Sequence, residues 1–502
     1  MGYILTVDFG TSAIKAAIYD GAEGLKGAIT EEYPLLYREE SRIEVSLTTL
    51  EHAFCKAVQA VIQISRVAKE DLTVIGFSSS GETMLFIDEH GHSICDGITW
   101  MDRRAKKEAE ELIGHFTEPL IYETCGQTTI DVFYPAPKVL WMNRHEPFVM
   151  ERLWKIMFMK DYFIYRLTGR CVCEDSVLNT TAFWKIRSRQ YWEEMLRYIG
   201  LRKEQLPEIL PQGCFVGNVL DEAAERYGLH PGMQVNIGAQ DQMCGALGAG
   251  NVHTGIVSVS LGSAMMALAS VDRLMLDQRN AIPCSPSALI GHYMVNGYST
   301  GAICMRWLRD QFFEWETAEE KKRDGNVYQL IDREVKAIAP GSEGLYMLPY
   351  LQGSGIPDAN DRARGVYFGI TPAHGKYHFA RAVMEGIAMS LRDIIEEIEK
   401  KLDIKMQKVI CLSGGAKSKT WMQILADVLG FSVSVVDNSE YTACFGAAIL
   451  AGLDSGIWKS LEETLEQITY QENYLPDVSR KQFYDRLFTK FQLLKQAVNP
   501  LF

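Results

Sequence analysis

The clearest pattern lies at the start of the chain. Residues 4–7 are an apolar run, Asp8 and Phe9 close it, Gly10, Thr11 and Ser12 make a small polar turn, and residues 13–19 are a second apolar run broken by Lys15. Two strand-length runs joined by a short glycine-containing turn predict a β-hairpin. Further strands are predicted at 72–78, 84–88, 235–239, 408–413 and 432–437, and helices at 104–113 and 418–429, the second capped by Gly430. This alternation predicts α/β layers. Residues 256–269 echo the opening hairpin: Gly262-Ser263 falls where Gly10-Thr11 falls, and Ser260 stands where Asp8 stood. The echo predicts two halves of related topology, 1–250 and 251–455, facing one cleft. The charged stretch 456–502 predicts a helical tail packing back across both.

Composition narrows the function. With 502 residues, 47% hydrophobic and 23% charged, the chain has the length for two large domains or about three smaller ones. A net charge of −13 argues against a nucleic-acid partner, because phosphate backbones call for basic faces. Eleven cysteines without a C-x-x-C pair or an accompanying His cluster give no zinc spacing and suggest reduced thiols in a cytoplasmic protein. The first residues lack the pattern of a signal peptide. Residues 242–271 carry no Asp, Glu, Lys or Arg, but Asn251, His253, Thr254 and five glycines interrupt them. They read as a buried helix, a turn and buried strands, not as a membrane span.

The first turn offers backbone N–H groups and two hydroxyls beside the Asp8 carboxylate. Such a turn can hold phosphate oxygens with a Mg²⁺ alongside; a plain surface hairpin is the structural alternative. No G-x-x-x-x-G-K-[ST], H-E-x-x-H or G-x-S-x-G occurs, Gly414-Gly415-Ala416-Lys417-Ser418 being a near miss. Other segments stand at ordered distances: Gly81-Glu82-Thr83, Trp100-Met101-Asp102-Arg103-Arg104, residues 133–142 with Lys138 and Trp141, Gly238-Ala239-Gln240-Asp241-Gln242, residues 365–385, and residues 412–418.

In this order the segments resemble the FGGY carbohydrate kinases, which include xylulokinase, gluconokinase, ribulokinase and glycerol kinase. The resemblance covers residues 3–455. Residues 365–385 fit the family's second signature at each constrained position, and residues 133–142 fit the first except at Met142. The resemblance implies two actin-like (ribonuclease-H-like) α/β domains with an interdomain cleft, ATP and Mg²⁺ as cofactors, a small sugar as substrate, and a homodimer as an expectation drawn from similar kinases. It implies Asp241 as the catalytic base and Asp8 with Asp241 as the metal site. It matches Gly10, Thr11, Ser12 and Lys15 to the first phosphate segment, Gly262 and Ser263 to the second, Gly301 to a stretch near the phosphates, and Gly414, Gly415, Ala416 and Lys419 to the adenosine segment. Taken singly, Asp241 also reads as a helix N-cap, and the glycines as a strand-to-helix turn.

For the substrate, the resemblance points to Gly81, Glu82, Trp100, Asp102, Arg104, Asp241 and Gln242. Gly81-Glu82-Thr83 keeps the acid of glycerol kinases but lacks their Arg, and it lacks the His of xylulokinases. Trp100 reads as a sugar-stacking wall or as a core tryptophan. Phe133 stands where glycerol kinases carry a Tyr. Gly353-Ser354-Gly355-Ile356-Pro357 departs from the Gly-Glu-Arg-x-Pro of relatives. The expectation is an ATP-dependent kinase of a ketose such as xylulose. A gluconate, polyol or deoxy-sugar kinase of the same family is the alternative, and a non-catalytic ATP- or sugar-sensing protein is the alternative of another class.

Overall fold

The computed structural model describes residues 2–356 and 359–502, with Glu40 described in its backbone alone; Pro357 of the departing segment lies outside them. Strand β1 (Tyr3–Phe9) and β2 (Ala13–Asp20) form the predicted hairpin. With β3 (Gly24–Glu32), β4 (Leu72–Ser79), β5 (Phe215–Asn218) and β6 (Gln234–Gln240) they make a six-stranded sheet in the order β5-β6-β4-β1-β2-β3. Its central strands β1, β4 and β6 are parallel, and the outer pairings are antiparallel.

The second sheet comprises β7 (Ile256–Leu261), β8 (Ala264–Val271), β9 (Cys284–Pro286), β10 (Tyr293–Thr300), β11 (Lys408–Leu412), β12 (Ser432–Val436) and β13 (Tyr470–Tyr474), in the order β9-β10-β8-β7-β11-β12-β13. Its directions repeat the first: β7, β11 and β12 run parallel, flanked by antiparallel partners. The hairpin echo is thus a repeat of whole sheets, with β3-β2-β1-β4-β6-β5 answered by β10-β8-β7-β11-β12-β13. The parallel strands are buried almost throughout, as strands covered on both faces must be. Helix α1 (Leu47–Ser65) covers one face of the first sheet with Leu50, Phe54, Ala57, Val58 and Val61, spaced at helical period. A smaller five-stranded sheet, built from residues 36–37, 43–45, 97–98, 84–87 and 155–158, is attached to this half. Helix α2 (Pro135–His145) packs beside it.

Two helices join the halves. Helix α3 (Asp241–Gly248) leaves β6 and packs against Leu268 and Met294 of the second sheet. Helix α4 (Lys376–Leu402) and α5 (Lys419–Leu429) belong to the second half. Helix α6 (Thr442–Asp454) follows β12 but packs on β1 and β4 of the first sheet. Where α3 and α6 cross, the backbones nearly touch. A Cβ on Gly248 would lie 2.0 Å from the Thr442 carbonyl oxygen, and one on Gly446 would lie 1.9 Å from that of Cys244.

The tail departs from an all-helical reading. Residues 470–474 form the edge strand β13, and helix α7 (Val478–Val498) packs on α4 and α5. The strand alternates half-buried Tyr470, Glu472 and Tyr474 with exposed Gln471 and Asn473; its polarity hides it in the sequence. Trp458 and Gln467 donate to the Gly21 carbonyl of the first half. All eleven cysteines are free. Among the described residues no helix is long and apolar enough to cross a membrane; the uncharged stretch 242–271 is α3, a turn, β7 and β8.

The crossing makes a sharp prediction. Gly446→Ala is expected to lower the unfolding free energy by about 3 kcal/mol, because neither carbonyl nor helix can move aside. Gly245→Ala, whose Cβ would meet the Thr442 hydroxyl at 3.9 Å, should be neutral or stabilising. Urea denaturation of both variants measures this, and equal tolerance would refute the tight crossing.

Candidate active site

The sheet repeat brings Asp8 and Lys15 of the first hairpin and Ser260 of the second to one cavity. Asp8, next to last in β1, is buried and accepts a hydrogen bond from Ser78 Oγ at 2.8 Å. Burial raises its pKa against the pull of Lys15 and Ser78. Lys15, paired with Asp8 across the hairpin, reaches over the cleft and donates to the Glu440 carbonyl at 2.8 Å. On the opposite side Ser260 holds the position of Asp8 in β7, and its hydroxyl lies 2.8 Å from that of Ser413. Ser413 has φ 72° and ψ −174°, a region essentially reserved for glycine. Its strain fixes the turn that leads from β11 into Gly414 and Gly415.

Asp241 is the first residue of α3 and not its cap; Gln240 holds the cap position, and Asp241 accepts from the backbone N–H of Gln242 at 2.6 Å. Burial, then the neighbouring Asp8 and Glu82 charges, push its pKa up to about 7. Asp8, Lys15, Asp241, Gln242, Ser260 and Ser413 line a polar cavity of about 350 Å³. A second chamber of about 840 Å³ adjoins it, walled by apolar residues such as Leu261, Ile303, Ile331 and Met384 and edged by Gly262, Ser263, Gly415 and Lys419. Gly414 and Lys417 line both. A Cβ on Gly414 would point into open space, so a ligand can lie directly against this backbone.

On the other side of Asp241 lies the loop after β4. Glu82 is half-buried; burial raises its pKa, opposed by a hydrogen bond with Thr180 and the charge of Lys138. Gly81 lies close against Gln240 and Thr180. Trp100 is half-buried, stands edge-on to Phe133 with ring centroids 5.7 Å apart, and donates from Nε1 to Thr11 Oγ1 at 2.8 Å. Behind this wall Lys138, fully buried on α2, donates to the carbonyls of Thr99 (2.8 Å), Trp100 (3.2 Å) and Phe133 (3.0 Å). Three acceptors need all three ammonium hydrogens, so the geometry builds the charged form even though burial lowers its pKa to about 7.

Several expectations are corrected. Asp102 is completely buried, and its carboxylate is taken up by the Ile43 N–H and by Arg104. Arg104 also pairs with Glu44 at 2.6 Å and stacks on Trp141. Both brace the loop that carries Trp100: the Asp102 carboxylate is fully taken up, and Arg104 spends Nε and Nη2 on Asp102 and Glu44. Gly301 lies beneath the second turn, its N–H bonded to the Ser263 carbonyl, where a Cβ would strike Ala264 and Met265. It shapes the turn without lining the cavity. Ala416 is buried. Lys419 edges the larger chamber, but its ammonium is held by Glu472 of β13. Gly10 and Ser12 stay at the first turn, Ser12 exposed. Lys138, Ser413, Lys417 and the Tyr328 side of the larger chamber escaped the sequence reading. Lys138 and Lys417 sit in segments it singled out, but nothing one-dimensional assigns a lysine to three carbonyls.

Duplicated sheets joined by crossing helices, with a carboxylate-bearing cavity opening onto a glycine-edged apolar chamber, define a two-domain phosphoryl-transferring enzyme of actin-like fold. The chain belongs to the FGGY family of carbohydrate kinases, matching that family's N-terminal domain over residues 3–248 and its C-terminal domain over residues 275–454. It is 28% identical to the xylulose kinase of Bacillus subtilis (strain 168) over 494 residues, covering 98% of this chain and 96% of the relative. It is 27% identical to the gluconokinase of the same organism over 487 residues, covering 95% and 93%. The crystal structure of xylulose kinase from Rhodospirillum rubrum shares the fold with a TM-score of 0.91 at 22% identity, covering 99% of both chains.

Lys138→Met keeps the buried stem but leaves three carbonyls without a donor. It is expected to cost about 3 kcal/mol of unfolding free energy. A urea midpoint shifted by less than a third of that would show water replacing the amine.

Proposed function

We propose that this kinase transfers the γ-phosphoryl group of ATP to a hydroxyl of an uncharged open-chain ketose, xylulose first among the candidates. The observation that carries this reading is the charge of the cleft. The cations whose charge reaches Glu82 and Asp241 are Lys138 and Lys15. Lys138 has given its N–H groups to three carbonyls, Lys15 is held on the phosphate side by the Glu440 carbonyl, and Arg103 lies over the Phe133 ring. What faces the substrate space is a set of acceptors, Glu82 and Asp241. These suit hydroxyl donors and repel a sugar carboxylate, which favours a ketose over gluconate.

Asp241 acts as the general base. Its raised pKa makes it a stronger proton acceptor than an ordinary carboxylate, matched to neutral pH, and it takes the hydroxyl proton as that oxygen attacks phosphorus. Glu82 accepts from a neighbouring hydroxyl and Gln242 hydrogen-bonds near the reacting one; Trp100 and Phe133 form the apolar wall. The nucleoside occupies the larger chamber, which Gly262 and Ser263 edge, and the phosphates the smaller, against Gly414 and beside Lys15, with the first turn at Gly10–Ser12 next to it.

The donor set also fits Mg²⁺. Asp8 and Asp241 share the smaller cavity, Asp8 disfavouring the charge of Asp241, and among the described residues no group of three or more His, Cys, Asp or Glu could hold a metal by itself. A hard cation that keeps its waters and takes phosphate oxygens suits two carboxylates. When bound there it would neutralise charge on the transferring phosphoryl group.

ADP release measured over D-xylulose, D-ribulose, glycerol and gluconate tests the reading. Ketoses should stimulate release more than gluconate, and Asp241→Ala should lower kcat by about 10²–10⁴-fold. Release that no sugar stimulates would sink the kinase reading, and gluconate outperforming every ketose would sink the charge argument.

A further inference from the structure

One hydrogen bond joins the two ends of the cleft: Trp100 Nε1, in the sugar-side wall, donates to Thr11 Oγ1 in the first phosphate turn at 2.8 Å. An indole N–H can only donate. Thr11 Oγ1 is therefore committed as acceptor, and its own O–H is turned away from the indole, able to donate to an oxygen lying over the turn. The backbone of that turn is fixed by its own half. Gly10 N–H bonds the Ala13 carbonyl at 3.0 Å, the Tyr33 hydroxyl donates to the Gly10 carbonyl at 2.5 Å, and Tyr33 N–H donates to the Ser12 carbonyl at 3.0 Å. The hydroxyl rotor of Thr11 remains, and Trp100 sets it.

Trp100 is held differently from a core tryptophan. Trp184 and Trp458 are each about 1% exposed, whereas Trp100 is half-buried. Its backbone is pinned, since Lys138 holds its carbonyl together with those of Thr99 and Phe133. Its side chain meets Phe133 in a T-shaped contact. A rigid backbone with a partly uncovered ring lets an occupant of the sugar space fix the indole, and the indole in turn fixes Thr11.

We infer that Trp100 is a positioning residue that couples sugar occupancy to the ATP phosphate site: a sugar packed on the indole holds Nε1 on Thr11 and so aims the Thr11 hydroxyl proton at the phosphate chain. The inference rests on the proposed sugar-kinase reading of the cleft. By linkage the coupling is reciprocal, so sugar and nucleotide tighten each other by one common factor. It also leaves the Thr11 hydroxyl least well aimed when no sugar is present, which limits transfer of the phosphoryl group to water.

The test uses the full-length protein with D-xylulose and the β,γ-methylene analogue of ATP, titrated by calorimetry with and without sugar. Trp100→Phe keeps an aromatic wall and removes the N–H; Thr11→Val keeps the shape and removes the acceptor. In the wild type the sugar should tighten the analogue by about 5–10-fold. Either substitution should reduce that factor to within about twofold of unity, and the double variant should lose no more than either single one, because both remove the same bond. Thr11→Val leaves the indole wall intact, so loss of the factor in both variants separates coupling from the wall itself. Retained coupling in Trp100→Phe, or losses that add in the double variant, overturns the inference. A wild type that binds both ligands without coupling overturns it and leaves the kinase reading standing. A wild type whose ADP release responds to no sugar overturns both.

Discussion

The close crossing of α3 and α6 is the constraint on which the rest depends. Each helix begins at the end of one sheet and finishes buried against the other half, so the two sheets can face each other only if the helices pass at backbone contact. The fit is reciprocal. Gly446 rests on the Cys244 carbonyl and Gly248 on the Thr442 carbonyl, four residues along each helix. A side chain at either point would drive the halves apart and widen the cleft that begins one turn away at Asp241 and Thr442. The glycines are expensive for helices by local propensity, and the packing they permit outweighs that cost. Gly76 of β4 continues the theme, since a Cβ there would lie 2.8 Å from the Ala447 carbonyl. Helix α6 is thus bedded between a strand and a helix with no spare layer.

The repeat explains the site, and its broken symmetry explains the chemistry. Asp8 and Ser260 occupy one position in two copies of the same hairpin, and each is hydrogen-bonded to a serine at the neighbouring parallel strand, Ser78 or Ser413. The first half keeps a carboxylate and the second a hydroxyl. Two facing carboxylates beside Asp241 would have put three like charges around one small cavity. Replacing one with Ser260 leaves a donor-capable surface on the nucleotide side. The strained Ser413 supports that surface, because its unusual backbone lets the chain turn at once from β11 into the exposed backbone of Gly414.

What the sequence made legible follows from range. Hairpins, the strand at 408–412 and the helix ending at Gly430 are written in local alternation, glycine placement and capping, and the α/β class with its two-domain cleft followed from their order and from the family segments. Asp8, Lys15, Asp241 and Gly414 line one cavity, and Gly262 edges the chamber that adjoins it. Strand β13 was missed because its pattern is Tyr-Gln-Glu-Asn-Tyr, an edge strand that looks like a loop. Asp102 and Arg104 were misread because a polar motif reports that charges are present and not who satisfies them; here they satisfy each other and Glu44. Lys138 was seen as a signature residue without a task, because its three acceptors come from two loops that meet only after folding.

An acidic chain with a carboxylate-rich cleft is an improbable host for a polyphosphate until the two ends of the cleft are considered apart. At the sugar end the groups facing inward accept hydrogen bonds: Glu82 and Asp241, with the nearby lysine locked behind the wall. At the nucleotide end the lining includes donors, the hydroxyls of Ser260, Ser263 and Ser413 with Lys15 and Lys417, beside Asp8. The net charge of −13 bears on neither end, because short-range hydrogen bonds and a divalent ion decide what is held there. Asp241 stands at the boundary between the two, and its pKa is raised first by burial and then by the charges on either side, Asp8 and Glu82. On the proposed reading this is where a proton leaves a hydroxyl as charge builds on phosphate, so the polarity of the cleft runs along the direction of the reaction. On the inference drawn above, the Trp100–Thr11 hydrogen bond ties the same two ends together.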